Sequence, residues 1–268
     1  VAIDTPRLTG SISLTGGRFD DLQLRGYRET VAENSDLVHL LNPVGGTRQA
    51  FYALFGWSPR GTLDYEMVPG PNTVWEQVGA NDLMPDTPIT LRWENVENTT
   101  DAPVSLDPYG ILAQHGVPED LQSFFISHEG LVEMNDGSLI EDKYSAMESY
   151  TVSDRERTPT RLENVASNGW IGFTSKYFMA ALIGVPGQGY TSVAQYVPGA
   201  DIYQASMRQP TVTVQPGETA SVESMLFTGA KEFETLSRYE DAGIERLTDA
   251  IDWGWFFFLT KPIFAMLH

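Results

Sequence analysis

The chain has 268 residues, enough for a sizeable core in one large domain or two small ones. Its 36 acidic and 17 basic residues give a formal net charge of −19, which excludes nucleic-acid binding through backbone phosphates, since that needs clustered positive charge. The absence of cysteine excludes disulfides, thiol catalysis and cysteine zinc sites, but it does not fix the cellular compartment.

The first part of the chain is typical of short strands separated by turns. Apolar residues at Leu8, Ile12 and Leu14 precede a turn at Gly16-Gly17, after which apolar and polar residues continue to alternate. The aromatic stretch 51–57 predicts a buried strand. These patterns favour a strand-rich body.

Further strands are predicted in the second part of the chain. Residues 89–93 alternate strictly, and residues 104–111 are predicted to pair with them in a hairpin. Asn-Asp-Gly at 135–137 has strong turn chemistry. Residues 170–173 and 178–183 are the most hydrophobic interior stretches, and their pattern predicts two core strands.

Helices are predicted only after the last strand. Residues 231–239 suit a short helix, Gly243 interrupts it, and residues 244–251 are predicted to add another turn or two. Many short strands followed by terminal helices predict a mainly all-β fold, a large antiparallel sandwich with C-terminal α-helices. The residues predicted to pack these helices on the sandwich are Phe233, Leu236, Ile244 and Leu247.

The composition changes at Trp253, where a charged segment gives way to an aromatic and aliphatic one. Roughly fifteen residues are too few to cross a bilayer, which takes about 20, and Lys261-Pro262 interrupts them. A segment lying in the lipid headgroup region fits better, because tryptophan prefers that interface and lysine can extend to water. The alternative is a helix folded back onto the domain. The predicted membrane-interface residues are Trp253, Trp255, Phe256, Phe257, Phe258, Lys261 and Phe264.

No pattern predicts a catalytic, cofactor or metal site. The four histidines lack metal-ligand spacing, and His128-Glu129 is interpreted as a polar pair beside a turn because adjacent strand residues point to opposite faces. There is no Gly-x-Ser-x-Gly nucleophile motif, and the glycines at 184–189 are interpreted as a turn. The aromatic residues could line a sugar-binding groove, although core packing explains aromatic residues more often.

A series of motifs runs through nearly the whole chain in order. They are Gly-Arg-Phe-Asp-Asp-Leu at 17–22, Leu-Leu-Asn-Pro at 40–43, Tyr-Ala-Leu-Phe-Gly-Trp at 52–57, Asn-Gly-Trp-Ile-Gly-Phe at 168–173, Lys-Tyr-Phe-Met-Ala-Ala-Leu-Ile at 176–183, Phe-Thr-Gly-Ala-Lys at 227–231 and Ile-Asp-Trp-Gly-Trp at 251–255 followed by Lys261-Pro262. Together they resemble the YidC family of bacterial membrane protein insertases, in the large periplasmic domain between its first two transmembrane helices.

The resemblance implies a galactose-mutarotase-like β super-sandwich. We expect the sandwich over residues 1–230, a helical bracket packed on it over 231–251, and over 252–268 an amphipathic helix that lies on the periplasmic membrane surface. Because no start methionine or signal peptide is visible, we interpret the chain as a piece of a longer inner-membrane protein whose membrane core is missing.

The resemblance also implies a function. The family inserts and helps fold inner-membrane proteins, alone or beside the Sec translocon, without nucleotide hydrolysis. A non-enzymatic positioning domain without a cofactor is therefore expected, with nascent membrane proteins, Sec accessory subunits such as SecDF and the membrane surface as partners. The alternative is a carbohydrate-binding or sugar-epimerising sandwich, which would need a groove where several aromatic residues and paired carboxylates converge.

Overall fold

The computed structural model describes residues 1–32, 34–61, 63–93, 102–119, 121, 127–254 and 260. Within these residues the chain is dominated by antiparallel strands. In chain order they are β1 (Ala2–Asp4), β2 (Leu8–Ser13), β3 (Arg18–Arg28), β4 (Leu37–Leu41), β5 (Phe51–Pro59), β6 (Glu76–Val78), β7 (Thr90–Arg92), β8 (Val104–His115), β9 (Gly130–Asn135), β10 (Ser138–Asp142), β11 (Thr160–Val165), β12 (Gly169–Thr174), β13 (Phe178–Ile183), β14 (Tyr190–Val197), β15 (Ile202–Arg208), β16 (Val212–Val214) and β17 (Met225–Ala230).

The strands form two large sheets. The ten-stranded sheet has the order β1-β2-β3-β5-β8-β15-β14-β11, with β4 also paired to β3 and β16 to β8. The five-stranded sheet has the order β10-β9-β12-β13-β17, while β6 and β7 form a separate ribbon. Because β12 packs on β15 and β13 packs on β8, the two sheets make a sandwich. The predicted all-β sandwich with C-terminal helices is confirmed.

The helical segments of the described residues are short. They are α1 (Tyr144–Glu148), α2 (Phe233–Asp241) and single 3-10 turns at Tyr65–Met67 and Leu247–Ala250. Beyond α2 the chain turns at Gly243, whose φ of +104° is a left-handed conformation that glycine adopts without strain. A helix therefore follows β17, as predicted, but the second predicted helical segment is only a 3-10 turn.

Alternating side chains fill the space between the sheets. Successive strand residues point to opposite faces, so Tyr203, Ala205 and Met207 of β15 point into the sandwich from the ten-stranded sheet. Ile171 and Phe173 of β12 meet them from the five-stranded sheet. This shared layer is the main hydrophobic core.

Two predicted turns are confirmed by their backbone conformation. Gly16 and Gly17 connect β2 to β3 with φ of +78° and +59°. Asp136 and Gly137 connect β9 to β10 with φ of +43° and +84°, and Asn135 pairs directly with Ser138 across the turn. Positive φ at both central residues is what a tight two-residue hairpin needs, and Asp-Gly accepts it at low cost.

The predicted hairpin between residues 89–93 and 104–111 is wrong. β7 pairs with β6 in the ribbon, whereas β8 lies in the middle of the ten-stranded sheet between β5 and β15. Both segments have the alternation of strands, but alternation carries no information on which strand is the partner. In a sandwich many pairings join strands that are distant in sequence.

A buried ion pair joins the two sheets at one side of the sandwich. The guanidinium of Arg161 on β11 lies 2.8 Å from the carboxylate of Glu133 on β9, whose side chain is 1 % exposed. Arg161 also lies 3.4 Å from the carboxylate of Asp142 on β10. Burial raises the pKa of Glu133, and the Arg161 charge opposes that rise. The pair therefore links β11, at the edge of the ten-stranded sheet, to β9 of the five-stranded sheet.

Candidate functional site

The chain that follows β17 crosses the outer face of the five-stranded sheet. Leu236 of α2 and Leu247 of the 3-10 turn are fully buried there, and Ile244 between them is also buried. Beneath them lies the indole of Trp170 on β12, which is 0 % exposed. We call this set the bracket cluster. Its other buried members are Val132, Met134, Met179, Ala181, Ile183, Phe227 and Ala250.

Hydrogen bonds fasten this helical segment at several points. The indole N–H of Trp170 donates to the backbone oxygen of Glu245, 3.1 Å away. The carboxylate of Glu240 on α2 accepts from both the backbone N–H and the hydroxyl of Thr248, each at 2.7 Å. The first bond joins the segment to the sheet, and the other two hold the 3-10 turn against α2.

The two residues directly before α2 are also held by the body of the domain. The Lys231 N–H donates to the backbone oxygen of Tyr177, in the turn between β12 and β13, at 2.8 Å. The carboxylate of Glu232 accepts from the hydroxyl of Tyr27 on β3 at 2.6 Å and from Arg7 at 2.9 Å. The start of α2 is therefore connected to both sheets.

The side chain of Lys231 places an ammonium group at the end of β12. Its Nζ donates to the hydroxyl of Thr174 at the end of β12, 3.0 Å away. Burial lowers the pKa of Lys231 to about 8, while the charges of Asp252, Glu129 and Glu141 act in the opposite direction.

Trp253 lies where the chain leaves the bracket cluster. Its indole N–H donates to the backbone oxygen of Thr248 at 3.0 Å, and its ring meets the Phe233 ring edge-on with centroids 5.8 Å apart. Asp252, one residue earlier, accepts from the backbone N–H of His128 at 3.1 Å. Asp252 and Trp253 are thus held by contacts on both sides of the chain.

Three of the four predicted packing residues lie in the bracket cluster, and the fourth lies beside it. Leu236, Ile244 and Leu247 belong to the bracket cluster, while Phe233 is half-buried and packs on Trp253. Of the predicted membrane-interface residues only Trp253 is described, and it is half-buried. Their role at a membrane stays a prediction. The predicted interface residues that lie outside the described part of the chain are Trp255, Phe256, Phe257, Phe258, Lys261 and Phe264.

The described residues offer little for a catalytic or sugar-binding reading. A cavity of about 330 Å³ is lined by three aromatic residues, Trp57, Tyr65 and Tyr109, together with prolines and one carboxylate, that of Glu66. The paired carboxylates required by the carbohydrate alternative do not converge among these lining residues. The ring of His128 hydrogen-bonds to the backbone oxygen of Leu131, near the start of β9, 2.8 Å away.

The described part of the chain offers neither a metal cluster nor a membrane-spanning helix. Among those residues no group of three or more histidine, aspartate or glutamate side chains is placed to hold a metal ion. In the same residues no helix has both the length and the apolar character needed to span a bilayer.

Sequence reasoning missed several residues that hold the helical segment. Trp170 was assigned to a hydrophobic strand, but nothing in one sequence shows which helix would cover it. Glu240 and Thr248 are eight residues apart, so their contact depends on the reversal of the chain at Gly243. Lys231 had one available signal: it is a charged residue directly after an apolar strand.

The fold and this site define a class: an all-β sandwich domain with a C-terminal helical segment fastened across one sheet. The chain matches the family model for the YidC periplasmic domain over residues 1–96 and 94–266, and it belongs to that family. The resemblance found in the sequence motifs is therefore confirmed.

Similar proteins cover the whole chain. Proteins named "Membrane protein insertase YidC" from Dinoroseobacter shibae and Cereibacter sphaeroides are each 50% identical over 100% of this chain and 48% of their own length. The protein of that name from Paracoccus denitrificans is 46% identical over 100% of this chain and 49% of its own. The chain thus spans about half the length of the curated relatives it matches.

Proposed function

We propose that this chain is the non-enzymatic periplasmic domain of a membrane protein insertase, which inserts and folds inner-membrane proteins alone or with the Sec translocon. The observation that carries the proposal is the family match over nearly the whole chain, together with relatives named as insertases. A domain of this kind acts by binding and positioning, and fold alone would not establish that role.

A domain exchange tests this function. In the Dinoroseobacter shibae relative, this chain replaces the matching half, and insertion of a reporter membrane protein is measured in cells depleted of the native insertase. Insertion at near-native levels is expected. Loss of insertion by a chimera that accumulates normally in the membrane would contradict the proposal.

The proposed partners are nascent membrane proteins and Sec accessory subunits such as SecDF. Photocrosslinking from exposed positions of the same chimera tests them separately. Adducts with a stalled membrane protein and with SecDF are expected. Adducts with the stalled chain alone would remove SecDF from the proposal and leave the insertase function in place.

The segment 231–251 is proposed to act as a bracket that holds the following residues at a fixed position relative to the sandwich. Its support is the burial of Leu236 and Leu247 and the two bonds from Thr248 to Glu240. Phe233→Ser with Leu236→Ser is expected to speed hydrogen exchange from α2 to Gly254, while the ten-stranded sheet stays protected. Equal protection in variant and parent would contradict the bracket.

The segment 252–268 is proposed to lie on the periplasmic membrane surface. Its support is the aromatic sequence after Trp253, together with the contacts that hold Trp253 itself against Phe233 and Thr248. The test is co-sedimentation with phosphatidylcholine vesicles, using the full chain and a truncation after Gly254 that keeps Trp253 on Phe233. Sedimentation of the full chain alone is expected. If neither sediments, the segment does not bind lipid.

A further inference from the structure

Three consecutive residues, the last of which begins α2, contact three aromatic residues from different parts of the fold. Lys231 holds the turn that carries Tyr177, through the backbone bond of 2.8 Å. Glu232 accepts the hydroxyl of Tyr27 at 2.6 Å. Phe233 packs on Trp253, with ring centroids 5.8 Å apart. We call Tyr27, Tyr177 and Trp253 the aromatic triad.

Two members of the aromatic triad, Tyr27 and Tyr177, expose their rings to solvent. Tyr177 is 60% exposed and Tyr27 is 37% exposed, although each contacts the half-buried ring of Phe178, with centroids 6.3 Å and 5.9 Å away respectively. Lys176 places its Nζ 4.8 Å from the centre of the Tyr177 ring. The result is an exposed aromatic surface with a lysine on it.

This surface is held in place before any partner arrives. The turn that carries Lys176 and Tyr177 is closed by a bond from the Ser175 N–H to the backbone oxygen of Phe178, 2.8 Å long. Tyr27 is fixed through its bond to Glu232, whose charge is balanced by Arg7. No large rearrangement is needed to present the aromatic rings, so binding costs little ordering entropy.

The chemistry of the triad fits a lipid headgroup layer. Tyrosine and tryptophan combine an apolar ring with a polar group and concentrate at membrane interfaces, and lysine there extends its ammonium to water. A chain with a net charge of −19 is repelled by anionic lipid, so the attraction must come from these rings. The triad also adjoins the start of the aromatic sequence that follows Trp253.

We propose that the turn Ser175–Tyr177, together with Tyr27, is a second membrane-contact site on the sandwich itself, and that it docks on a zwitterionic lipid surface beside the point where the chain leaves the bracket. This proposal rests on the proposed surface binding of residues 252–268. The second contact site adds that the sandwich touches the bilayer with a defined face. Such a contact sets both the orientation of the sandwich and its distance from the membrane.

The absence of cysteine from the chain makes a direct test simple. A nitroxide label is attached to Lys176→Cys and, as a control, to Val152→Cys. Val152 is 60% exposed and pairs with Pro159, the residue before β11. In the ten-stranded sheet, β11 is the edge strand far from β3, which carries Tyr27. With phosphatidylcholine vesicles, the label at 176 is expected to lose accessibility to a water-soluble nickel chelate, whereas the label at 152 keeps it.

The outcomes separate the two proposals. If the full chain sediments with vesicles and both labels stay equally accessible, the second contact site is wrong and the tail proposal stands. If the chain does not sediment at all, the tail proposal fails, and the second contact site fails with it.

A partition measurement provides the second readout. Tyr177→Ser in the full chain is expected to weaken vesicle binding by about threefold. The reason is that the serine variant no longer buries roughly 30 Å² of apolar surface in the lipid, and that burial strengthens binding by about this factor. Tyr65→Ser is the matched control, because Tyr65 is 76% exposed and lies outside the triad. Unchanged vesicle binding combined with loss of a SecDF crosslink would overturn the lipid proposal and assign the surface to a protein.

Discussion

The two sheets of the sandwich differ in what covers their outer faces. In the five-stranded sheet, β13 is buried on both sides, with Ala180 and Leu182 facing the main core and Ala181 and Ile183 facing the bracket cluster. In the ten-stranded sheet, β15 has Tyr203, Ala205 and Met207 in the core, while the intervening Gln204 is half-exposed. The difference arises from α2 and the 3-10 turn.

This comparison explains the most hydrophobic part of the sequence. A strand that is covered on both faces has a continuous run of apolar residues in its sequence. In a strand that is covered on one face, apolar and polar residues alternate. Residues 169–174 and 178–183 are of the first kind because the C-terminal segment returns to cover them. The segment that precedes the aromatic tail is therefore part of the sandwich's own packing, and moving it would expose the outer face of β12 and β13.

The largest effect is expected where the two layers meet at Trp170. Trp170→Ala removes a fully buried indole and its bond to Glu245, so a loss of about 3 to 5 kcal/mol in the free energy of unfolding is expected. Urea unfolding followed by circular dichroism measures it. A loss below about 1 kcal/mol would mean that the bracket cluster contributes little to stability.

A matched pair of leucines compares the two outer faces directly. Leu236→Ala in α2 is expected to cost about 2 to 5 kcal/mol, because Leu236 is 0 % exposed in the bracket cluster. Leu162→Ala on β11 of the ten-stranded sheet should cost less than about 1 kcal/mol, since that side chain is 45% exposed. Equal losses in the same urea experiment would remove the distinction between the faces.

The lowered pKa of Lys231 predicts a dependence of stability on pH at the bracket. Its folded pKa of about 8 lies below the ordinary 10.5, so between these values the unfolded state binds more protons and stability rises with pH. The contribution of Lys231 to the slope of the free energy of unfolding against pH has an upper limit of about 1.4 kcal/mol per pH unit. The free energies of unfolding of the parent and of Lys231→Met, measured from pH 7 to 9.5, should diverge accordingly. Parallel curves would contradict the lowered pKa of Lys231.

The sequence allows the class of the fold to be predicted because strand alternation, turn chemistry and apolar runs are local signals. The Asp136-Gly137 turn and the helix after β17 are examples. Pairing was not predictable in the same way: residues 89–93 and 104–111 both look like strands, yet they belong to different sheets.

The site was only partly predictable for a related reason. Helical spacing put Leu236, Ile244 and Leu247 among the packing residues, and all three lie in the bracket cluster. The contacts that hold the segment join residues far apart in sequence, such as Trp170 with Glu245 and Tyr27 with Glu232. The ion pair of Glu133 and Arg161 was not predicted either, because charged residues in an acidic chain are expected at the surface.

The smallest effect is expected at the link between α2 and the ten-stranded sheet. Tyr27→Phe keeps the ring and removes the hydroxyl that donates to Glu232, so a loss of about 0.5 to 1.5 kcal/mol is expected. This bond, first among several contacts, holds the pKa of Glu232 below its usual range. A carboxyl group with a lowered folded pKa contributes stability above its unfolded pKa and loses it as the pH falls through the folded value.

The loss caused by Tyr27→Phe should therefore be present at pH 7 and shrink in acid. A double-mutant cycle with Glu232→Gln, run by urea unfolding at pH 7 and pH 3, separates this bond from the bond of Glu232 to Arg7. A coupling energy that is the same at both pH values would show that the carboxylate charge does not contribute. The contact between Tyr27 and Glu232 would then act as a neutral hydrogen bond, like the bond from Trp170 to Glu245 that joins the segment to the five-stranded sheet, and the two attachments would be of one kind.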